Sequence, residues 1–199
     1  MIYDLAQSGA RLLMALAADV RVSGRENFPA DGNCIIATNH LTAWDTPLIF
    51  SIVPRRWRVV VLAAEKWHKV LPIRWVFDGV GCVWVRRGEV DRQALAEVMT
   101  YLKNGRVVGM APEGTRSKTG ALQKARNGAA WLARASGAPI IPVALWGVEN
   151  IRVFHRPEVQ VRVGAPLRLT REDNLDEATE RIMRQIAQML PEKYRGVYE

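Results

Sequence analysis

The chain has 199 residues, enough for one well-cored domain but not for two. Apolar residues make up 49% and charged residues 24%, which excludes a disordered, collagen-like or disulfide-scaffold protein. The net charge of +8 is concentrated, since residues 55–126 carry 15 Lys or Arg against 6 Asp or Glu. That excess predicts anionic partners: phosphate groups, acidic lipid headgroups or nucleic acid.

Ile2, Leu5, Gly9, Leu12, Leu13, Leu16 and Val20 recur at helical spacing, with Asp4, Gln7, Arg11 and Asp19 between them. This predicts an amphipathic helix over 1–20, either packed on the core or lying in a membrane interface. No basic lead precedes the first apolar stretch, so a secretory signal is not expected. No apolar run approaches the roughly 20 residues of a bilayer-spanning helix, so a soluble or peripheral protein is expected, not a spanning one.

Asp31-Gly32-Asn33 reads as a turn opening a buried strand, Cys34 to Thr38. Thr46 reads as a helix cap with Pro47 in the first turn. A second buried strand is expected over 58–63, a helix over 65–77, and a strand over 81–85. Asp91 to Lys103 is helical and stops at Asn104-Gly105. Val107 to Met110 is a strand, Asn127 to Ser136 a helix closed by Gly137, and Ile140 to Leu145 a strand. Val159, Val161 and Val163 alternate as another strand, and Asp173 to Leu190 forms a long closing helix. The alternation predicts a single α/β domain with a largely parallel mixed sheet flanked by helices. Within it, 34–145 would carry the chemistry and 158–199 the closing strand and helix. Cys34 and Cys82 sit in apolar runs and read as buried free thiols of a reducing compartment.

Three segments could carry chemistry. Asn39-His40-Leu41-Thr42-Ala43-Trp44-Asp45 places a histidine just past a strand and an aspartate beside a helix start. A loop curling Asp45 back onto one imidazole nitrogen would free the other to take a proton; local pairing or capping is the plain alternative. Pro112-Glu113-Gly114-Thr115-Arg116-Ser117 gathers a carboxylate, a flexible glycine, two hydroxyls and a guanidinium at a strand end, suiting a phosphate; taken alone it is equally a polar surface turn. Gly81-Cys82-Val83-Trp84-Val85-Arg86-Arg87 ends a strand in two guanidiniums, which taken alone reads first as a solvated strand end.

Together these segments resemble the lysophosphatidate acyltransferase family, the glycerolipid acyltransferases of phospholipid synthesis. Asn39, His40 and Asp45 fit its Asn-His-x4-Asp block. Gly81-x-x-Trp84-Val85-x-Arg87 resembles the second block, residues 112–117 the third, and Ile140 to Leu145 the fourth. Three positions depart from the pattern: Ala111 replaces a usual Phe, Thr42 a common Ser, and Arg86 a frequent Asp.

The resemblance implies transfer of a fatty acyl group from acyl-CoA or acyl carrier protein to the glycerol hydroxyl of a lysophospholipid, foremost lysophosphatidate. His40 would be the general base and Asp45 its orienting partner, with no acyl-enzyme. Arg116 and Arg87 would hold the phosphate, with Gly114 and Thr115 completing the cradle. Glu113 would fix those arginines or bind the glycerol hydroxyl. Lys66 is either a further phosphate ligand or an exposed lysine; His68 and His155 read as surface residues. No cofactor or metal is expected beyond the thioester co-substrate.

Trp57, Trp67, Trp75 and Trp84 interleave with Arg55, Arg56, Arg58, Lys66, Lys69 and Arg74, which suits a membrane surface with anionic lipids on the cytoplasmic side; the plain alternative is that half of these tryptophans are core. Competing readings are a different lysolipid, glycolipid or amino-lipid acceptor, a thioester hydrolase using the same pair, or a basic binding module. Nucleic acid is not expected, because neither a stacked-aromatic strand nor a basic recognition helix is evident.

Overall fold

The structure, a computed structural model, describes residues 2–86, 91–152 and 155–199, with the side chains at 72, 73 and 76 left aside. The chain runs α1 (Ile2–Ala17), β1 (Asp19–Ser23), β2 (Ile35–Thr38), α2 (Asp45–Ile52), β3 (Val59–Ala64), α3 (Leu71–Val80) and β4 (Val83–Val85). It continues through α4 (Arg92–Lys103), β5 (Val107–Met110), α5 (Gly128–Ser136), β6 (Ile140–Trp146), β7 (Glu158–Val163) and α6 (Leu175–Met189).

The seven strands lie in the order β1-β7-β6-β2-β5-β3-β4, all parallel except the β6–β7 pair. Successive residues of a strand face opposite sides, so the apolar runs sort into two cores. Ile36, Val59, Val61, Ile141 and Val143 pack with Met14, Leu48 and Ile52 under α1 and α2. Ile35, Val60, Val108 and Ile140 pack with Val98, Leu102, Leu132, Ile182 and Ile186 under α4, α5 and α6. Full burial of each such side chain contributes roughly 1.5–3 kcal/mol, which ties these five helices to the sheet.

Several boundaries differ from the sequence reading. The first helix ends at Ala17, and Val20 belongs to β1, where Val20 and Val22 alternate with polar residues and pair with Val159 and Val161. Period-two alternation and a partner strand outweigh the helical spacing there. Residues 65–77 do not form one helix: Glu65–Lys69 is a 3-10 turn, and α3 starts anew at Leu71 with Pro72 in its first turn. Helix α2 begins at Asp45 rather than after a Thr46 cap, and no side chain caps it. By contrast, Asn174 caps α6, accepting from the backbone N–H of Asp176 and Glu177.

The face of α1 is the largest surprise. Tyr3, Gln7 and Met14 turn inward onto α2, while the leucine stripe turns outward: Leu5 is 70% exposed and Leu16 67%. The inward face is held by polar tips as well as packing. The Val59 N–H donates to the Tyr3 hydroxyl at 2.9 Å, and Gln7 Nε2 donates to Phe50 O and Val53 O. Among the described residues no helix is long and apolar enough to cross a membrane.

Candidate active site

In a parallel sheet the open ground lies beyond the C-terminal strand ends, and β2 and β5 end side by side there. Asn39 makes the exit from β2 possible. Its amide donates to Leu145 O at 2.8 Å and its carbonyl accepts from the Leu145 N–H at 2.9 Å. A side chain thus supplies the two bonds β6 would otherwise lack, and the backbone at His40 is free to leave the sheet.

Asp45, only 3% exposed, curls back from the first turn of α2. Its Oδ2 lies 2.6 Å from His40 Nδ1 and accepts the N–H of Leu41 at 2.7 Å and of Thr42 at 3.0 Å. Thr42 Oγ1 donates to Oδ1 at 3.2 Å and accepts the Trp44 N–H at 3.0 Å. A carboxylate so surrounded by N–H and O–H donors serves as acceptor to all of them. The imidazole proton therefore sits on Nδ1, and Nε2 offers its lone pair to the cleft.

The 112–117 loop is stitched to His40 through the backbone. The His40 N–H donates to Glu113 Oε1 at 3.0 Å, and His40 O accepts the Ser117 N–H at 2.8 Å. Glu113 Oε2 accepts the Gln123 N–H at 2.9 Å. Glu113 is buried, which pushes its carboxyl above the usual range against the opposing pull of those N–H groups. Both carboxylate oxygens are engaged by backbone, so Glu113 bridges the two loops, and among the described residues it makes no ion pair with an arginine. Gly114 adopts φ +72° in the turn closed by its N–H on Ala111 O, a conformation that suits glycine. The far side of the loop is fastened by the C-terminal segment: Leu122 N–H donates to Tyr194 O, and Ala125 N–H to the Tyr198 hydroxyl, both at 2.9 Å. Nothing in the sequence pattern announces that contact.

His40, Asp45, Gly114 and Thr115 line a cleft of about 970 Å³, at the upper end of small-molecule sites. Its apolar walls include Ile36, Ile49, Val61, Leu95, Met110 and Trp131. Among the described residues three arginines reach it: Arg86, Arg92 and Arg126. Arg86 leans on Asp91 at 3.6 Å, whereas no carboxylate among the described residues lies within ion-pair distance of Arg126. The stem of Arg126 passes 3.6 Å from where a Gly114 side chain would begin. Sequence reading missed Arg126; its signal is only an Arg just before a helix, close after the loop. Arg116 is exposed and is not among the lining residues of the cleft. Arg87 lies outside the described residues.

Other candidates stand apart. Lys66 is exposed over the Trp67 ring, His68 packs edge-on against Trp84, and His155 is exposed. Trp57 is buried and Trp84 half-buried with its indole on Asp78, so only Trp67 and Trp75 of the four tryptophans are exposed. Cys34 and Cys82 are free and buried. Among the described residues no three His, Cys, Asp or Glu side chains gather as a metal site.

The fold and site define a three-layer α/β domain with a histidine–carboxylate pair and a glycine-containing loop in one cleft beyond the strand ends. The chain belongs to the Acyltransferase family, whose model matches residues 19–146 and so takes in all four motif segments. It is similar to 1-acyl-sn-glycerol-3-phosphate acyltransferases of Borreliella burgdorferi (34% identity over 131 residues, 65% of this chain and 52% of that one) and Bacillus subtilis (23% over 167 residues, 83% and 82%). A chloroplastic 1-acyl-sn-glycerol-3-phosphate acyltransferase of Brassica napus is 28% identical over 171 residues, 81% of this chain and 49% of that one. The chain thus spans about half the length of the Borreliella and Brassica relatives. The fold is also that of the crystal structure of the 1-acyl-sn-glycerophosphate (LPA) acyltransferase PlsC from Thermotoga maritima: TM-score 0.75, 26% identity, 94% of this chain and 79% of that one.

Proposed function

We propose that this protein transfers a fatty acyl group from a thioester, acyl-CoA or acyl carrier protein, to the free glycerol hydroxyl of lysophosphatidate, yielding phosphatidate. The observation that carries this reading is the His40–Asp45 pair, tied through Glu113 and Ser117 to the 112–117 loop and lining the same cleft. The names of the relatives support the acceptor.

His40 Nε2 takes the proton of the acceptor hydroxyl as its oxygen attacks the thioester carbonyl carbon. Asp45 holds the ring and stabilises the imidazolium. Collapse of the tetrahedral adduct breaks the carbon–sulfur bond, and the departing thiolate takes the proton back from His40. No protein nucleophile enters: the Ser117 hydroxyl is committed to Ala121 O at 2.6 Å, and burial pushes both cysteine thiols up to about 12. General-base assistance supplies about 10²–10⁴-fold, so positioning supplies the remainder. Among the described residues Arg126 is the cation best placed for the acceptor phosphate; Arg116 would reach it by closing over the bound lipid, and the resemblance implies the same ligand for Arg87.

The acyl chain would lie along the apolar walls of the cleft. The protein would meet its substrates at a cytoplasmic membrane surface through the outward leucines of α1, joined by Leu71 and the 66%-exposed Trp75 of neighbouring α3. The test is an acyl-transfer assay with a panel of lysolipids and both donor types, run beside His40→Ala. The variant should fold and lose at least about 10²-fold in turnover. A near-normal rate would overturn the mechanism, and equal turnover of the donor without any acceptor would point to a hydrolase.

A further inference from the structure

A second cavity of about 290 Å³ lies on the far flank of α1, at the opposite end of α2 from His40. It is lined by Arg11, Arg25, Arg156 and Ser51, and by Asp19 as its one carboxylate. Two of the guanidiniums are fixed in place by the last carbonyls of α2. Arg11 Nη2 donates to Val53 O at 2.8 Å, and Arg25 Nη1 donates to Ile52 O at 2.9 Å.

That arrangement is more than a helix cap. Arg11 Nε is shut off from solvent with no hydrogen-bond partner, and Arg55 and Arg25 both repel the Arg11 charge. Asp19, on the cavity lining, is exposed and lies 3.4 Å from Arg21, so among the described residues the three cations have no buried counter-ion. Arg156 is exposed and has no carboxylate within ion-pair distance among the described residues. Arg11 and Arg25 each spend one donor on a backbone carbonyl, and the guanidinium N–H groups left over, with no carboxylate among them, match the oxygens of a phosphate. The volume suits one phosphate with a short polar head and not a nucleotide.

The position of the cavity says where that phosphate comes from. Arg11 and Ala15 line it, and Leu12 and Leu16, each one residue on and so about 100° round the helix, are exposed to the outside. A helix that lays leucines on a lipid surface carries its flank at headgroup level. We infer that Arg11, Arg25 and Arg156 form a binding site for the headgroup phosphate of an anionic membrane phospholipid, separate from the catalytic cleft. The inference rests on the membrane-contact part of the proposed function. It makes α1 a reader of lipid charge as well as an apolar anchor.

The test is vesicle co-sedimentation of the full chain, with phosphatidylcholine alone or equimolar with phosphatidylglycerol. Wild type should bind both and favour the anionic vesicles. Arg156→Gln, which removes no internal hydrogen bond, should lose at least about fivefold on anionic vesicles and nothing on neutral ones. Arg171→Gln, on the opposite face of the sheet, should match wild type. Binding to neither vesicle would sink the membrane-contact reading. Equal binding to both, or equal losses in the two variants, would leave that reading standing and overturn the phosphate site. A second readout is the Arg11 Nε–Hε resonance, which should move on titration with monomeric dihexanoylphosphatidylglycerol and stay put in Arg156→Gln. A resonance that instead responds to inorganic phosphate alone would refute the lipid assignment.

Discussion

Glu113→Gln separates two jobs that a buried carboxylate beside a catalytic histidine could have. The wild-type side chain accepts one backbone N–H on each oxygen, from His40 at 3.0 Å and Gln123 at 2.9 Å. A glutamine of the same shape has one acceptor and one donor group. Whichever way its amide turns, one N–H loses its acceptor and faces an NH2. A hydrogen bond to a charged group is worth about 1.5–3 kcal/mol. For a chain of this size that predicts a fall in melting temperature of about 3–12 °C. Relief from burying a charge offsets part of this, and the offset depends on pH. Burial raises the Glu113 carboxyl above its unfolded value of 4.5. The folded state therefore binds more protons than the unfolded state between the two pKa values, and wild-type stability falls as pH rises through that window. Glutamine does not titrate, so the gap between wild type and variant should narrow from pH 4 upward. Urea unfolding of both proteins across the acid range measures it. A gap that widens with pH would refute the reasoning. Kinetically, a role in positioning His40 predicts a lower kcat with little change in the KM for lysophosphatidate. A raised KM alone would return Glu113 to contact with the glycerol hydroxyl.

Arg126→Gln should raise the KM for lysophosphatidate by about tenfold or more, one lost charged hydrogen bond, and leave an acceptor without phosphate unaffected. Arg116→Gln, tested in parallel, should show the same selectivity only if the loop closes over bound lipid; an unchanged KM for both variants would remove the phosphate from this side of the cleft. The thiols of Cys34 and Cys82, pushed up to about 12 by burial, should resist alkylation at pH 8 and react on unfolding. Their native labelling should be slower than that of a free thiol by roughly 10³-fold, the ratio of thiolate populations. Fast labelling of the folded protein would show an open route into the core.

Much of this protein was settled by local sequence. Apolar runs bounded by turn residues are legible because a strand buried on both faces has few alternatives, and Val107–Met110 falls where the pattern puts it. Asn39, His40, Asp45 and the 112–117 run stood out because their chemistry is unusual at strand ends. The alternation of strands and helices sufficed for the α/β class.

Other features depend on neighbours far away in the chain. Val20 could continue a helix or begin a strand, and only pairing with β7 decides. The leucines of α1 could face in or out; the core chose Tyr3, Gln7 and Met14 because their polar tips and shapes meet the end of α2 and the start of β3. The role of Glu113 and the nearness of Arg126 to Gly114 follow from a loop folded back on itself and pinned by residues 194–198. Periodicity reports which residues avoid water, but contacts between distant segments have no period, so only the folded chain fixes them.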